Sequence, residues 1–142
     1  MKARPRRYDP VKTGRLASCI AALVAFCLLV RNIQAVGASP AMPVPKRDTF
    51  CLAVNSQVEQ SPGVMPNQED MRELLGAKCF GKLDLLQGYW QMPLAPEAQE
   101  VFTIVTPESL FTPTRVPQGV LNATSYFQGV MTDLLRGLGC KV

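Results

Sequence analysis

Lys82-Leu83-Asp84-Leu85-Leu86-Gln87-Gly88-Tyr89-Trp90-Gln91-Met92-Pro93-Leu94 is the stretch on which the reading of this chain turns. With Cys79-Phe80-Gly81 ahead of it, it forms two short apolar runs around Leu86-Gln87-Gly88-Tyr89, which predicts a strand, a tight turn and a second strand. Asp84 stands at the end of the first run. A carboxylate there either caps the following turn or serves as a metal ligand, because Mg²⁺ takes one or two carboxylates together with phosphate oxygens. Gly88 beside Tyr89, facing Pro117-Gln118-Gly119, is either ordinary turn chemistry or a recess where a flat ring and a phosphate approach the backbone.

Working outward, Val101 to Thr106 and Leu110 to Val116 are β-branched and aromatic runs joined by Pro107-Glu108-Ser109, the mark of an antiparallel hairpin. A helix follows, with Phe127, Val130, Met131, Leu134, Leu135 and Leu138 on one stripe and Gly137 or Gly139 to stop it. Asp133 lies on the opposite face and reads as a solvated charge. Upstream, Pro40, Pro43, Pro45, Pro62 and Pro66 keep residues 39–66 extended or turning, and Gln68 to Leu75 suits a short helix ended by Gly76. The expected fold class is α+β, an antiparallel sheet backed by helices.

The chain has 142 residues, 47% hydrophobic and 18% charged, enough for one ordinary domain. The absence of histidine excludes Ser-His-Asp and Cys-His catalysis and His-ligated zinc. Residues 1–15 hold six of the 15 basic side chains against one acid, for +5; the rest hold nine basic and ten acidic, for −1. That is a basic N-terminal arm, not a basic face. Five cysteines without C-x-x-C spacing read as scattered buried thiols in a reducing compartment. The apolar run Leu16 to Val30 behind this arm has a signal-peptide outline. It is also compatible with a buried helix, and its roughly 22 Å of helical rise falls short of a roughly 30 Å hydrocarbon core.

Lys82 to Leu94 resembles the first catalytic motif of reverse transcriptases from Gypsy-type (Metaviridae-like) LTR retroelements. Phe102 to Gln128 resembles that family's hairpin and second motif in unbroken register, and the match runs over residues 79–139. Ser39-Pro40-Ala41-Met42-Pro43-Val44-Pro45-Lys46 is similar, more loosely, to the entry into the fingers. The resemblance implies a fingers/palm fragment of a right-hand polymerase. A basic arm and apolar helix (1–38) would precede partial fingers (39–78) and a partial palm (79–142). It further implies RNA-directed DNA polymerisation on an RNA/DNA template-primer with deoxynucleotides. Asp84 would hold Mg²⁺. Gln87 and Gly88 would contact triphosphate through the backbone, Tyr89 would pack under the sugar and exclude a 2′-hydroxyl, and Gln118 and Gly119 would line the pocket. Lys46 would touch phosphate.

The sequence departs from that pattern in three places. It stops at Val142, before the family's aromatic-x-Asp-Asp motif, so one of three catalytic acids is present, and two-metal catalysis needs more than one. Phe50-Cys51-Leu52-Ala53-Val54-Asn55 lacks the Asp-Tyr-Arg group that precedes the family's Asn. Ser109 replaces a glycine in the hairpin turn, at a cost of about 1 kcal/mol if the site requires positive φ. The expectation is therefore a truncated, cytoplasmic reverse transcriptase domain, inactive by itself, with an exposed apolar face and no membrane partner. Two other readings remain: a small secreted or membrane-tethered protein targeted by residues 1–41, and a non-catalytic nucleic-acid-binding accessory protein.

Overall fold

The structure is a computed structural model and describes residues 3–46, 49–54, 75–76 and 78–138. Helix α1 spans Pro10–Ala25. Asp9 caps it, accepting the Lys12 N–H at 2.8 Å, and Pro10 fills the first turn, where an absent N–H leaves no bond unmade. That backbone hydrogen bond holds the Asp9 carboxyl below the usual carboxylate range. Leu16, Ile20 and Leu23, one face of the helix, are buried. The helix stops inside the apolar run because Cys27 turns left-handed at φ 57. Cys27 N–H then donates to Val24 O and Leu28 N–H to Leu23 O, both at 2.9 Å. This is a Schellman ending with cysteine where glycine is usual. The run is thus divided between α1 and strand β1, Leu29–Arg31. Among the described residues no helix is long and apolar enough to cross a membrane.

Strands β2 (Ser39–Lys46) and β3 (Thr49–Val54) form an antiparallel hairpin. A 3₁₀ turn at Gly88–Gln91, a short helix α2 (Pro96–Gln99), and a further 3₁₀ turn at Glu100–Phe102 lead into β4 (Ile104–Val105). β5 (Leu110–Pro113) and helix α3 (Ala123–Leu135) complete the order. The five strands lie β1-β5-β4-β2-β3. The predicted β4–β5 hairpin is present, but the sheet is mixed, because Ser39 and Pro40 of β2 run parallel to Ile104 and Val105. A parallel pair needs a long crossover, and residues between β2 and β4 provide one.

The three prolines of β2 sit where a missing N–H breaks no ladder bond. Ser39 N–H donates to Thr103 O, so odd-numbered N–H groups of β2 face the β4 side and even-numbered ones face β3. Pro43 and Pro45 therefore point their ring nitrogens away from β3, and Pro40 precedes the first β2–β3 pair, Ala41 with Val54.

One face of the sheet is covered by α1, whose Leu16, Ile20 and Leu23 pack with Leu29, Ala41, Leu52, Val54, Trp90, Ile104 and Phe111. A second cluster joins Met92, Val116 and Ala123 with Tyr89, Leu94, Val120 and Phe127. Helix α3 is otherwise poorly covered, with Leu134 68% exposed and Val130 and Tyr126 also exposed; it ends at Leu135, so Leu138, expected on its stripe and 67% exposed, lies beyond it. Gly137, at φ 93, follows the helix end, and Asp133 is exposed beside Arg136 at 2.6 Å.

Three expectations need correction or lie elsewhere. Cys27 and Cys79 are exposed rather than buried, while Cys19 and Cys51 are half-buried and all four are free; Cys140 is outside the described residues. Ser109 does not take positive φ, because its N–H donates to Thr106 Oγ1 at 3.1 Å while Thr106 Oγ1 donates to Ser109 O at 2.9 Å. That side-chain turn replaces the glycine geometry, so the replacement carries no left-handed cost. The helix read at Gln68 to Leu75 falls mostly outside the described residues.

Candidate functional site

The segment ahead of the site is not the predicted strand. Residues 78–85 have no regular structure and are exposed, Phe80 and Leu83 at 75% and 82%. A strand needs a neighbour for its N–H and C=O groups, and among the described residues none pairs with this segment. Asp84 is exposed, and among the described residues it accepts no hydrogen bond and forms no ion pair, so it does not cap the turn that follows.

That turn is closely tied. Gln87 is left-handed (φ 50, ψ 45), a conformation costing a non-glycine residue about 1–2 kcal/mol. Its carbonyl accepts the Trp90 N–H at 2.9 Å, and Gln91 Nε2 donates to Leu86 O at 2.8 Å. Trp90, 6% exposed, anchors the turn in the main core. The second predicted strand shrinks to a bridge between Pro93 and Arg115, flanked by Leu94 N–H to Thr114 O (3.1 Å) and Val116 N–H to Met92 O (3.0 Å).

Gly88 lies against α3, where an added Cβ would meet Phe127 Cζ at 3.0 Å and Cε2 at 3.1 Å. Tyr89 meets the same ring edge-on, centroids 5.6 Å apart at 85°, and its hydroxyl is 3.1 Å from Thr124 Oγ1. The second glycine turn is fixed from the other side. Gln118 forms a parallel bridge with Ala53 and accepts the Val54 N–H at 2.8 Å, and Gly119, at φ 98, presses its Cα against the Val54 carbonyl. Val120 and Tyr89 share the second apolar cluster, so the Gln87–Tyr89 and Gln118–Gly119 turns both converge on the start of α3.

Lys46 stands apart. It pairs with Thr49 at the far end of the β2–β3 hairpin, whereas Gln118 meets that hairpin beside Met42's partner Ala53. Four residues of strand, roughly 13 Å, separate the two positions. A cavity of about 330 Å³ between α1 and β5, lined by Ile20, Val24 and Phe111 with Arg31 and Glu108, contains none of the candidate metal- or nucleotide-binding residues.

Phe127 and Thr124, which hold Tyr89, are contributions the motif reading missed; the helical spacing of Phe127 was its one signal. Asn122 is another: its Oδ1 is buried without a hydrogen-bond partner among the described residues, just ahead of α3. An orphaned acceptor of this kind costs about 1–3 kcal/mol unless a donor reaches it. Among the described residues no three His, Cys, Asp or Glu side chains gather. Asp84 suits a single Mg²⁺ ion that brings phosphate oxygens and water as its other ligands, and does not suit a pair of resident ions.

A family model, reverse transcriptase (RNA-dependent DNA polymerase), matches residues 42–141. The uncharacterized protein K02A2.6 of Caenorhabditis elegans is 26% identical over 145 residues, covering 94% of this chain and 11% of that protein. The Pro-Pol polyprotein of feline foamy virus is 28% identical over 107 residues, covering 70% of this chain and 9% of the polyprotein. The foamy viral protease-reverse transcriptase dRH in complex with double-stranded DNA superposes with a TM-score of 0.80 at 23% identity, over 97% of this chain and 25% of that one. The chain thus spans about a tenth of the length of these two relatives.

Proposed function

The chain belongs to the reverse transcriptase (RNA-dependent DNA polymerase) family, and on that premise we propose that its convergent turns are the deoxynucleotide-binding part of a Gypsy-type retroelement polymerase. Residues 39–78 would contribute to the fingers and 79–142 to the palm, in a protein acting in the cytoplasm on an RNA/DNA template-primer. The observation that carries this reading is the seating of Gly88 and Tyr89 on Phe127 and of Gln118–Gly119 on Val54, with Tyr89 and Val120 packed in one apolar cluster at the start of α3.

Each residue then has a physical task. The left-handed Gln87 turns the backbone so that Gln87 and Gly88, the latter closed by Phe127 on its Cβ side, would contact triphosphate through the backbone. Tyr89, held by the Phe127 edge and the Thr124 hydroxyl, would pack under the sugar and exclude a 2′-hydroxyl. Gln118 and Gly119 would line the pocket, and Asn122 Oδ1, just ahead of α3, is a buried acceptor without a partner among the described residues. Lys46, on the hairpin, belongs to a phosphate contact only if the hairpin bends toward the site. Asp84 is the carboxylate that would meet Mg²⁺ travelling with the triphosphate, where the ion neutralises phosphate charge.

The test is binding of a fluorescent dNTP and its ribonucleotide counterpart with Mg²⁺, to the wild-type chain and to Tyr89→Ala. Preference for the deoxynucleotide that vanishes in Tyr89→Ala supports the pocket; equal affinities in the wild type refute it.

A further inference from the structure

The excess charge of the chain sits in its first fifteen residues, and the structure ties that arm down. Ala3 N–H donates to Ala38 O at 3.0 Å, and Tyr8 turns inward, its hydroxyl donating to Ala41 O at 2.8 Å while its ring packs on the core. Arg6 Nη1 lies 3.3 Å from Met42 Sδ, and the Arg15 guanidinium sits 4.6 Å above the Phe50 ring. Phe50 pairs with Pro45, so these contacts follow the β2–β3 hairpin from Ala38 to Pro45, seven residues or roughly 23 Å.

Arg4, Arg6, Arg7 and Arg15 are all exposed. Asp9, the one acid of this region, caps α1 and pairs with Lys12 at 3.3 Å. Among the described residues the ion pairs are Lys12–Asp9 and Arg136–Asp133, which leaves the four arginines without a carboxylate. Guanidinium groups bind phosphate oxygens in a bidentate fork and are less strongly hydrated than ammonium groups. A line of them on an ordered strip, with Tyr8 turned inward and no other aromatic or long aliphatic side chain between Ala3 and Asp9 to enter a bilayer, is suited to a polyphosphate backbone.

We infer that Arg4, Arg6, Arg7 and Arg15 form a clamp along the β2–β3 hairpin for the sugar-phosphate backbone of single-stranded nucleic acid, separate from the nucleotide pocket. The inference rests on the reading that the chain acts on nucleic acid, and it names the surface that grips the strand. Its test is the salt dependence of binding of the full chain to a fluorescent single-stranded RNA of about 20 nucleotides, long enough for the clamp. Single-stranded contacts contribute about 0.7 each to the slope of log K against log salt, so Arg4→Gln/Arg6→Gln/Arg7→Gln should flatten it by about 2. Carried from about 1 M to about 50 mM salt, that predicts a loss of roughly several hundredfold.

The matching triple lysine variant keeps the charge and should restore the slope, and Arg136→Gln should leave it unchanged. Far-UV circular dichroism and the melting midpoint of each variant establish that the fold is kept. An unaltered slope and affinity in the folded glutamine variant overturn the clamp while the polymerase reading stands, because wild-type binding would then have another seat. Binding to phosphatidylserine vesicles without binding to RNA overturns it in favour of a membrane surface. Loss of all RNA binding by the wild-type chain overturns the clamp, and the separate dNTP assay then decides the pocket.

Discussion

Gly119→Ala reports whether the second glycine turn is locked to the sheet as described. The substitution meets two costs. Alanine at φ 98 is outside the comfortable L-residue range, about 1–2 kcal/mol, and its Cβ would collide with the Val54 carbonyl oxygen, with Val54 C and N both 3.2 Å away. The end of β3 must retreat or the loop must lift, and either breaks the Val54 N–H to Gln118 O bond, about 0.5–1.5 kcal/mol. Together these give about 2–3 kcal/mol, which at about 4 °C per kcal/mol lowers Tm by about 8–12 °C. Thermal unfolding followed by far-UV circular dichroism measures it, and Gly14→Ala is the control. Gly14 lies within α1, where an added Cβ meets nothing within 4 Å, so that change should stabilise by about 0.5–1 kcal/mol. If Gly119→Ala melts with the wild type, the loop is not seated on Val54 and the convergence of the two turns is wrong.

Tyr89→Phe removes the contact with Thr124 Oγ1 and should cost about 0.5–1 kcal/mol by urea unfolding, the low end because the bond is exposed. Asn122→Leu should raise stability by about 1 kcal/mol, since it removes a buried acceptor with no partner, while weakening dNTP affinity; a destabilised variant would mean the Oδ1 is satisfied. Asp9 has a native pKa below its ordinary value, so the cap supports folding above the carboxylate range and is lost as pH falls through it; Asp9→Ala should flatten that acid-side decline in a pH series of melts. Burial, with a smaller contribution from nearby Cys51, pushes the Cys19 thiol up, so at pH 8 iodoacetamide should label Cys27 and Cys79 before Cys19 by peptide mass mapping.

Local chemistry made part of this architecture legible in the sequence. The β4–β5 hairpin followed from two apolar runs around Pro107-Glu108-Ser109, and α3 from its stripe and Gly137. The end of α1 was hidden because a cysteine, not a glycine, occupies the left-handed position. The parallel β2–β4 pair depends on contacts between residues 65 positions apart, beyond any window of periodicity. The strand expected at 79–85 failed because apolar alternation describes a side-chain surface, and the backbone partner it also requires is supplied from elsewhere. At the site, Gly88 and Gly119 were readable as turns. Their supports, Phe127 and Val54, were not, since a close backbone approach is written in three dimensions.

The prolines of β2 have a consequence for self-assembly. A hairpin that projects past a two-residue neighbour such as β4 exposes an edge onto which another chain can add a strand. Pro43 and Pro45 remove the donors from that edge of β2. On the other side of the hairpin, Val54 N–H is bonded to Gln118 O and Phe50 O accepts from Cys19 Sγ at 3.2 Å. Fibril-like growth through this hairpin is thereby disfavoured. Clumping of the chain at high concentration would instead start from bare Leu134 of α3, Leu138 beyond it, and Phe80 and Leu83, giving amorphous, detergent-sensitive aggregates without cross-β order.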